Sequence, residues 1–468
     1  MDALEAENAA LRAENARLRA LLGKDSSNSS RPPSSDSPAS QAKAAKARAD
    51  KTAAKRGRRT RRRGGQPGHK KNERALVPLE EVDHLHVVKP ERCECCDRRL
   101  WGKDDNPVRH QVFELPPPTP RVDEWQLHAL PCGGCGAITQ AQLPEGVPTG
   151  AFGPRVHALV AICGGVCRMS KRTIQGFMSD VFGLSMSLGM VSRIEQRVSA
   201  SIAQPVEAAH DHVRSAAVVH ADETSWREAR KKAWMWLAAT TMVAVFIIRD
   251  SRATTAAKEL LGETFSGLLI SDRYGVYNFV DGDQRQLCWS HLLRDVEAFR
   301  AFGRTGARLA DEIQKSARTM IRYYHRVRDG TMSRQHFRRK AARHRRAIES
   351  AVSRGRGFAR SEISGVCKEI HKLKGALFAF VDHEGVEPTN NHAERLLRHA
   401  VIWRKLSYGT DSDKGSRFVE RMMTVVMSLR MQHRNALDYM TAACEAQLLG
   451  HEPPSLVPTA RHRYAAAA

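Results

Sequence analysis

Two short apolar runs, residues 216–221 and 268–270, constrain the fold more than any other stretch, because each gives way almost at once to an aspartate, Asp222 and Asp272. Runs this brief suit strands covered on both faces, as in a parallel sheet. In such sheets, functional groups gather at the carboxyl ends of the strands. The surrounding pattern predicts a first strand over 216–226, a hairpin over 233–248, a helix over 253–261 and a further strand over 268–271. Three strands, a helix and a strand ending in Asp is the order of a ribonuclease-H-like fold. There the first and fourth strands are neighbours, which would bring Asp222 and Asp272 together.

A third carboxylate, Glu394 in Asn390-Asn-His-Ala-Glu-Arg395, opens a helical stretch 122 positions after Asp272. Two unit charges about 4 Å apart repel by roughly 4 kcal/mol at an effective dielectric of ~20. Three converging carboxylates therefore need protons or cations, and a pair of Mg2+ ions, or Mn2+, would serve. Such a site cuts nucleic acid. Glu223 competes with Asp222 as a ligand, but side chains alternate along a strand, so only one faces the site and Asp222 is the choice. Glu394 lies three residues after Asn391, where a capping-box acid would lie. Capping alone does not explain the motif around it. Asp281 and Asp283 fall in a Gly-containing turn and read as solvated.

The chain of 468 residues is long enough for several domains and carries a formal net charge of +24, which favours a polyanionic partner. Half of that charge sits between Lys43 and Lys71, where 13 Lys or Arg face one acid, Asp50. With almost no large apolar residue, 23–75 reads as a disordered basic linker whose Arg61, Arg62, Arg63 and Lys70 would contact phosphates without reading sequence. Before it, Leu4, Leu11 and Leu18 recur at seven residues, with Asn8, Asn15 and Leu22 on the alternate seam. That is a short coiled coil over 1–22, with a solvated Ala/Glu/Arg helix as the plain alternative. The longest apolar run, 234–248, is too short to span a bilayer. No signal peptide is read at the start, so a cytoplasmic location without membrane attachment is expected.

Four of the ten cysteines form two C-x-x-C knuckles, Cys93 with Cys96 and Cys132 with Cys135. Together they would close a tetrahedral site for one structural Zn2+ within a module spanning 76–145. Cys95 is a spare thiol, so Cys93 and Cys96 are chosen on spacing. Residues 150–205 read as helices. Those over 171–182 and 187–199 are separated by a Gly-led turn and fit a helix-turn-helix, with Lys171, Arg172, Ser192 and Arg193 as DNA contacts. Any helical hairpin with a Gly turn gives the same pattern.

In this order the motifs resemble the insertion sequence 66 family of transposases. The likeness runs through Arg63-Gly-Gly-Gln-Pro-Gly-His-Lys70, the two knuckles, Ala221-Asp-Glu-Thr224, Cys288-Trp-Ser-His291-Leu-Leu-Arg294, and Asn390-Asn-His-Ala-Glu-Arg395 followed by Ile402-Trp-Arg-Lys405. It implies a bacterial, nucleoid-associated enzyme that cuts double-stranded DNA at the inverted repeats of its element and joins the freed 3′-hydroxyls to target DNA. The implied catalytic triad is Asp222, Asp272 and Glu394. A homodimer or larger synaptic complex, and accessory proteins of the same element, are implied as partners. Arg395 and Arg404 would touch DNA. Cys288 and His291 are spaced as a C-x-x-H half-site, but with no second half nearby they are expected to brace the active site. Trp289 and Trp403 read as core residues, with stacking on an unpaired base as the rarer use.

The expected architecture is therefore a multidomain α+β protein. A coiled coil, basic linker, zinc-binding module and helix-turn-helix precede a ribonuclease-H-like core over 214–303 and 386–450. The core is interrupted by a basic helical insertion over 304–385 and followed by a flexible tail over 451–468. The Arg-dense stretch 334–360 offers a DNA-binding face or a solvated one. Two rivals remain: a non-enzymatic zinc-containing regulator with a degenerate core, and a nuclease that hydrolyses without joining.

Overall fold

A computed structural model describes residues 74–458, with 42 and 46 as isolated positions. The heptad segment, the arm carrying Arg61, Arg62, Arg63 and Lys70, and the end of the tail lie outside the described residues. The described residues divide between two compact units, one holding 74–120 and the other 121–458. In the first, the turn after Cys93 is closed by Asp97 N–H donating to the Cys93 carbonyl (3.0 Å) and Cys93 N–H donating to the Arg98 carbonyl (2.9 Å).

The second unit begins with a small hairpin, β1 (Ala129–Pro131) and β2 (Ile138–Gln140). Its tip repeats the turn just described. Gly136 N–H donates to the Cys132 carbonyl (2.9 Å), and Cys132 N–H donates to the Ala137 carbonyl (2.8 Å). Four helices follow: α1 (Pro154–Gly165), α2 (Lys171–Phe182), α3 (Leu188–Ser201) and α4 (Ala203–Arg214). The α2–α3 pair sits where the periodicity predicts. Ser170 caps α2 through Thr173 N–H, Gly183 ends it in the left-handed region (φ 66°), and Ser187 caps α3 through Met190 N–H.

A five-stranded mixed sheet comes next, built from β3 (Val218–Glu228), β4 (Lys231–Ala239), β5 (Ala244–Arg249), β6 (Leu268–Ser271) and β7 (Arg285–Leu287), in the order β5-β4-β3-β6-β7. β3, β4 and β5 run antiparallel, while β3, β6 and β7 are parallel. The hairpin between β3 and β4 is tighter than the sequence suggests. Its two turn residues, Ala229 and Arg230, both have positive φ (47° and 65°), a conformation normally left to Gly or Asn. The loop at 408–410 holds this turn: Ala229 N–H donates to the Thr410 carbonyl (2.8 Å) and Thr410 N–H to the Arg227 carbonyl (3.0 Å). Gly409 is required there, because its φ is 112° and a Cβ would meet the Arg227 carbonyl oxygen at 2.2 Å.

Helix α5 (Thr254–Leu261) crosses from β5 to β6, and α6 (Trp289–Glu297) follows β7. The expected insertion is helical: α7 (Gly303–Arg328), α8 (Arg334–Gly355), α9 (Ser361–Lys372) and the short α10 (Ala379–Asp382). It builds its own apolar core from Leu309, Ile313, Phe337, Ile348 and Phe380, continuous with Ile270, Leu287 and Trp289 at the parallel edge of the sheet. Helices α11 (Asn391–Ser407), α12 (Asp413–Met431) and α13 (Ala436–Leu448) complete the unit. α11 packs on β3 and β4, and α12 lies along β5.

As an edge strand, β5 would present a row of unpaired N–H groups. Instead α12 covers them with polar side chains four residues apart: Ile248 N–H donates to Glu420, Phe246 N–H to Thr424 Oγ1 (3.0 Å) and Ala244 N–H to Ser428 Oγ (2.9 Å). Among the described residues, no helix is long and apolar enough to cross a membrane.

Candidate active site

β3 and β6 pair in parallel with His220 opposite Ile270. Continuing that register two residues sets Asp222 level with Asp272, which lies one residue beyond the end of β6. Alternation along β3 turns Glu223 to the opposite face. There it is buried and fully engaged, bonded to the Arg252 guanidinium (2.5 Å) and to the Tyr277 hydroxyl (2.8 Å). Among the described residues, Asp222 has no salt-bridge partner. Its Oδ1 accepts from Glu223 N–H (2.9 Å), and Asp272 Oδ1 accepts from Tyr274 N–H (2.9 Å). Burial, then the charges of Glu223, Asp272 and Glu394, push the Asp222 carboxyl well above the usual carboxylate range.

Glu394 rides on the first turns of α11, and Asn390 fixes where that helix starts. Asn390 is fully buried; its side-chain NH2 donates to the Ala221 carbonyl (2.8 Å) and its Oδ1 meets His220 Nδ1 at 3.1 Å. Burial holds His220 down to about 3, so it is neutral and donates to Asn390. Asn390 N–H donates to the Cys288 thiol (3.1 Å). One residue thus ties the third acid's helix to the strand of the first and to the start of α6. Asn390 makes no side-chain cap, and Glu394 is the fourth residue of the helix, so it is not a capping-box acid. The insertion returns the chain to the sheet at this point: Trp289 N–H donates to the Pro388 carbonyl (2.9 Å).

Cys288 and His291 stand against Glu394. His291 Nδ1 is 3.7 Å from Glu394 Oε1, and both atoms are buried without a hydrogen-bond partner. Burial, then the Arg294 charge, lowers the His291 pKa. Among the described residues, Cys288, His291 and Glu394 are the group whose ligand atoms all lie within 4.8 Å of one another. The oxygens of Asp222, Asp272 and Glu394 do not converge so tightly. As donors, those three carboxylates suit a hard divalent cation, and a cation would offset both the burial of Asp222 and the neighbouring negative charges that push its carboxyl up.

Behind Asp272 lies a cation that the sequence reading did not single out. Arg285 is fully buried on β7, its guanidinium donating to Asn278 Oδ1 (2.9 Å), Ser271 Oγ (3.2 Å) and the Asp272 carbonyl (3.3 Å). Arg285 opens a three-residue strand, Arg-Gln-Leu, with two polar residues, so the sequence carried little signal for its burial.

The remaining candidates divide. Lys171 is engaged with Ser192 Oγ (2.6 Å) and Glu195 (3.5 Å), so these two polar groups of the helix pair hold each other, while Arg172 and Arg193 stay exposed. Arg395 is exposed beside Glu394; Arg404 is half-buried and bonded to Ser225 at the end of β3. Trp289 and Trp403 are buried and unavailable for stacking on a base, and Trp289 Nε1 donates to the Leu377 carbonyl (2.8 Å). On α8, Arg345 pairs with Asp382 and Glu349 and Arg354 with Glu312, while Arg338, Arg339, Lys340, Arg343 and Arg346 are exposed. Asp281 and Asp283 are exposed.

Each knuckle has the local geometry of a metal-binding turn. The N–H groups of Cys95 and Cys96, then the Cys96 thiol, lower the Cys93 pKa; those of Gly134 and Cys135, then the Cys135 thiol, do the same for Cys132. Cys95 offers Cys93 its backbone and Cys96 its side chain, which favours Cys96 as the partner.

A family model described as Transposase IS66 family matches residues 149–417, more than half of the chain. The chain belongs to this family. The match takes in Asp222, Asp272, Glu394, Cys288 and His291 and begins after both knuckles. Transposition is the function the family name carries, and with it action on DNA and the use of divalent metal. A second model, Family of unknown function (DUF6444), matches residues 2–75. No curated protein matches the chain.

Proposed function

We propose that this transposase cleaves DNA at the ends of its element and joins the freed ends to target DNA, with Asp222, Asp272 and Glu394 as a DDE triad on a ribonuclease-H-like core. The observation that carries the reading is the parallel register of β3 and β6, which sets Asp222, midway along β3, level with Asp272 just past the end of β6, while Asn390 fastens the helix of the third carboxylate to β3. When bound, a pair of magnesium ions would supply Lewis acidity to the scissile phosphate and lower the pKa of the attacking hydroxyl. The three carboxylates would hold them, Asp222 and Asp272 from the sheet and Glu394 from α11.

The chain's own groups do the rest. Arg285 places a buried positive charge behind Asp272 and anchors the backbone at the strand end. Arg252 and Tyr277 occupy Glu223, so the acid next to Asp222 does not compete for the cleft. Exposed Arg395 beside Glu394, and the exposed arginines of α8, offer phosphate contacts that position DNA without reading its sequence. Arg172 and Arg193 are the proposed contacts from the helix pair. One structural Zn2+ is proposed for the knuckle cysteines.

With element-end DNA and Mg2+, the purified protein is expected to nick and to join. Asp222→Ala, Asp272→Ala and Glu394→Ala should each abolish both steps and spare binding. Strand transfer that survives these substitutions would end the assignment.

A further inference from the structure

The sequence leaves Cys288-x-x-His291 as a metal half-site without a partner, yet the fold supplies one. Burial pushes the Cys288 thiol up to about 11, and the backbone N–H groups of Asn390, His291 and Ser290, the last two standing three and two residues on, work against that rise. Cys93 takes those of Cys95 and Cys96, and Cys132 those of Gly134 and Cys135, at the same two positions. In all three motifs the N–H groups two and three residues on act on the first sulfur, although Cys93 and Cys132 precede tight turns and Cys288 precedes helix α6. In the third case a histidine stands where the second cysteine would be, and Asn390 N–H adds a further donor to the sulfur at 3.1 Å.

The other two members of the cluster meet through His291 Nδ1 and Glu394 Oε1. They lie 3.7 Å apart, buried and without hydrogen-bond partners. Unpaired buried polar atoms are costly, and a cation would satisfy both. With metal–nitrogen and metal–oxygen bonds of ~2.0–2.2 Å, an imidazole nitrogen and a carboxylate oxygen on one tetrahedral ion lie roughly 3.4 Å apart, a little less than the separation seen. The group of three, all within 4.8 Å of one another, needs only small side-chain movement to close on an ion.

We propose that Cys288, His291 and Glu394 form a binding site for a thiophilic divalent cation such as Zn2+, and that the bound ion withholds Glu394 from the acidic cleft and switches strand cleavage off. The sulfur sets the selectivity: thiolate and imidazole favour zinc, whereas magnesium takes oxygen ligands and belongs with Asp222 and Asp272. On binding, the thiol proton passes to solvent. Glu394 is shared, and one carboxylate oriented toward sulfur and imidazole is not oriented toward the two aspartates. The switch, though not the metal site itself, rests on Glu394 being the third catalytic acid.

Full-length protein loaded with 113Cd2+ tests the site by NMR. Besides signal from the knuckle cysteines, a separate resonance is expected that both Cys288→Ser and His291→Gln remove. The second variant guards against misfolding, because His291 Nδ1 holds no hydrogen bond in the fold. The same set of resonances in wild type and both variants overturns the site. For the switch, Zn2+ titrated into Mg2+-driven cleavage should inhibit the wild type, a chelator selective for zinc should restore it, and His291→Gln should raise the half-inhibiting concentration by about tenfold or more. An unchanged half-inhibiting concentration overturns the switch. Retained cleavage by Glu394→Gln would instead remove Glu394 from the triad, while the cadmium resonance still decides the metal site.

Discussion

Asn390→Asp is the most informative single change, because it keeps the volume and shape of a fully buried side chain and reverses one hydrogen bond. The NH2 that donates to the Ala221 carbonyl at 2.8 Å becomes an oxygen facing an oxygen. Leaving a buried carbonyl unpaired costs about 1–3 kcal/mol, and a carboxylate buried against it costs more. The protein can escape by protonating the new carboxyl, which restores a donor. At pH 7 that escape costs about 4 kcal/mol, being roughly three pH units above an ordinary Asp pKa at 1.36 kcal/mol each, and this caps the destabilisation. The folded-state pKa is thus raised above the unfolded one, so between the two values the native state binds more protons and stability falls as pH rises. Should the proton go to His220 instead, the uptake is the same single proton. The assay is urea unfolding followed by fluorescence of the tryptophans buried in this unit, Trp226, Trp236, Trp289 and Trp403. The gap to wild type should be largest at pH 7 and shrink by up to about 2.7 kcal/mol by pH 5. A gap independent of pH, or none at all, would refute the claim that Asn390 fastens α11 to β3 through its NH2.

Three further outcomes follow from other parts of the fold. Thr424→Val leaves Phe246 N–H on the edge strand without an acceptor and should cost about 1–3 kcal/mol in the same unfolding assay, whereas loss within experimental error would show that water replaces the hydroxyl. Burial raises the Glu420 carboxyl to about 7 despite Arg417 and Arg249, so stability should fall as pH rises from about 4.5 to 7 and level off above it. Glu420→Gln should flatten that slope, worth at most about 3 kcal/mol; an unaltered slope contradicts the assignment. Replacing Arg172 and Arg193 together with Ala should weaken DNA binding and reduce the slope of log affinity against log salt by about 1 to 2, while a parallel slope would show that neither meets a phosphate.

The strands were the legible part of this chain, for a physical reason. Buried strands need continuous apolar runs, and those over 216–221 and 268–270, with the hairpin over 233–248, are read directly from composition. The hairpin turn was not, since Ala229 and Arg230 adopt positive φ only because the loop at 408–410 binds across them, and that loop lies 180 residues away in sequence. The cover on β5 was hidden for a related reason. Glu420, Thr424 and Ser428 look like polar interruptions of an apolar helix, and only the neighbouring strand edge explains their spacing of four.

Glu394 shows where reading by motif stops. Its flanking residues pointed to it, but no local pattern says which way its carboxylate turns. That is decided by Asn390, whose two side-chain contacts are with β3, and by Cys288 and His291, brought alongside when the insertion returns the chain to the sheet. The same fold that carries Glu394 toward Asp222 and Asp272 therefore also sets it against sulfur and imidazole, and its own Oε1 and the His291 Nδ1 are left unpaired there. An acid with a single structural role would be expected to have its oxygens satisfied in the folded chain. On the proposed metal site, the Glu394 oxygen left 3.7 Å from an unpaired imidazole nitrogen is a ligand position for a cation, and the choice between hard and soft cations then falls to the Cys288 sulfur.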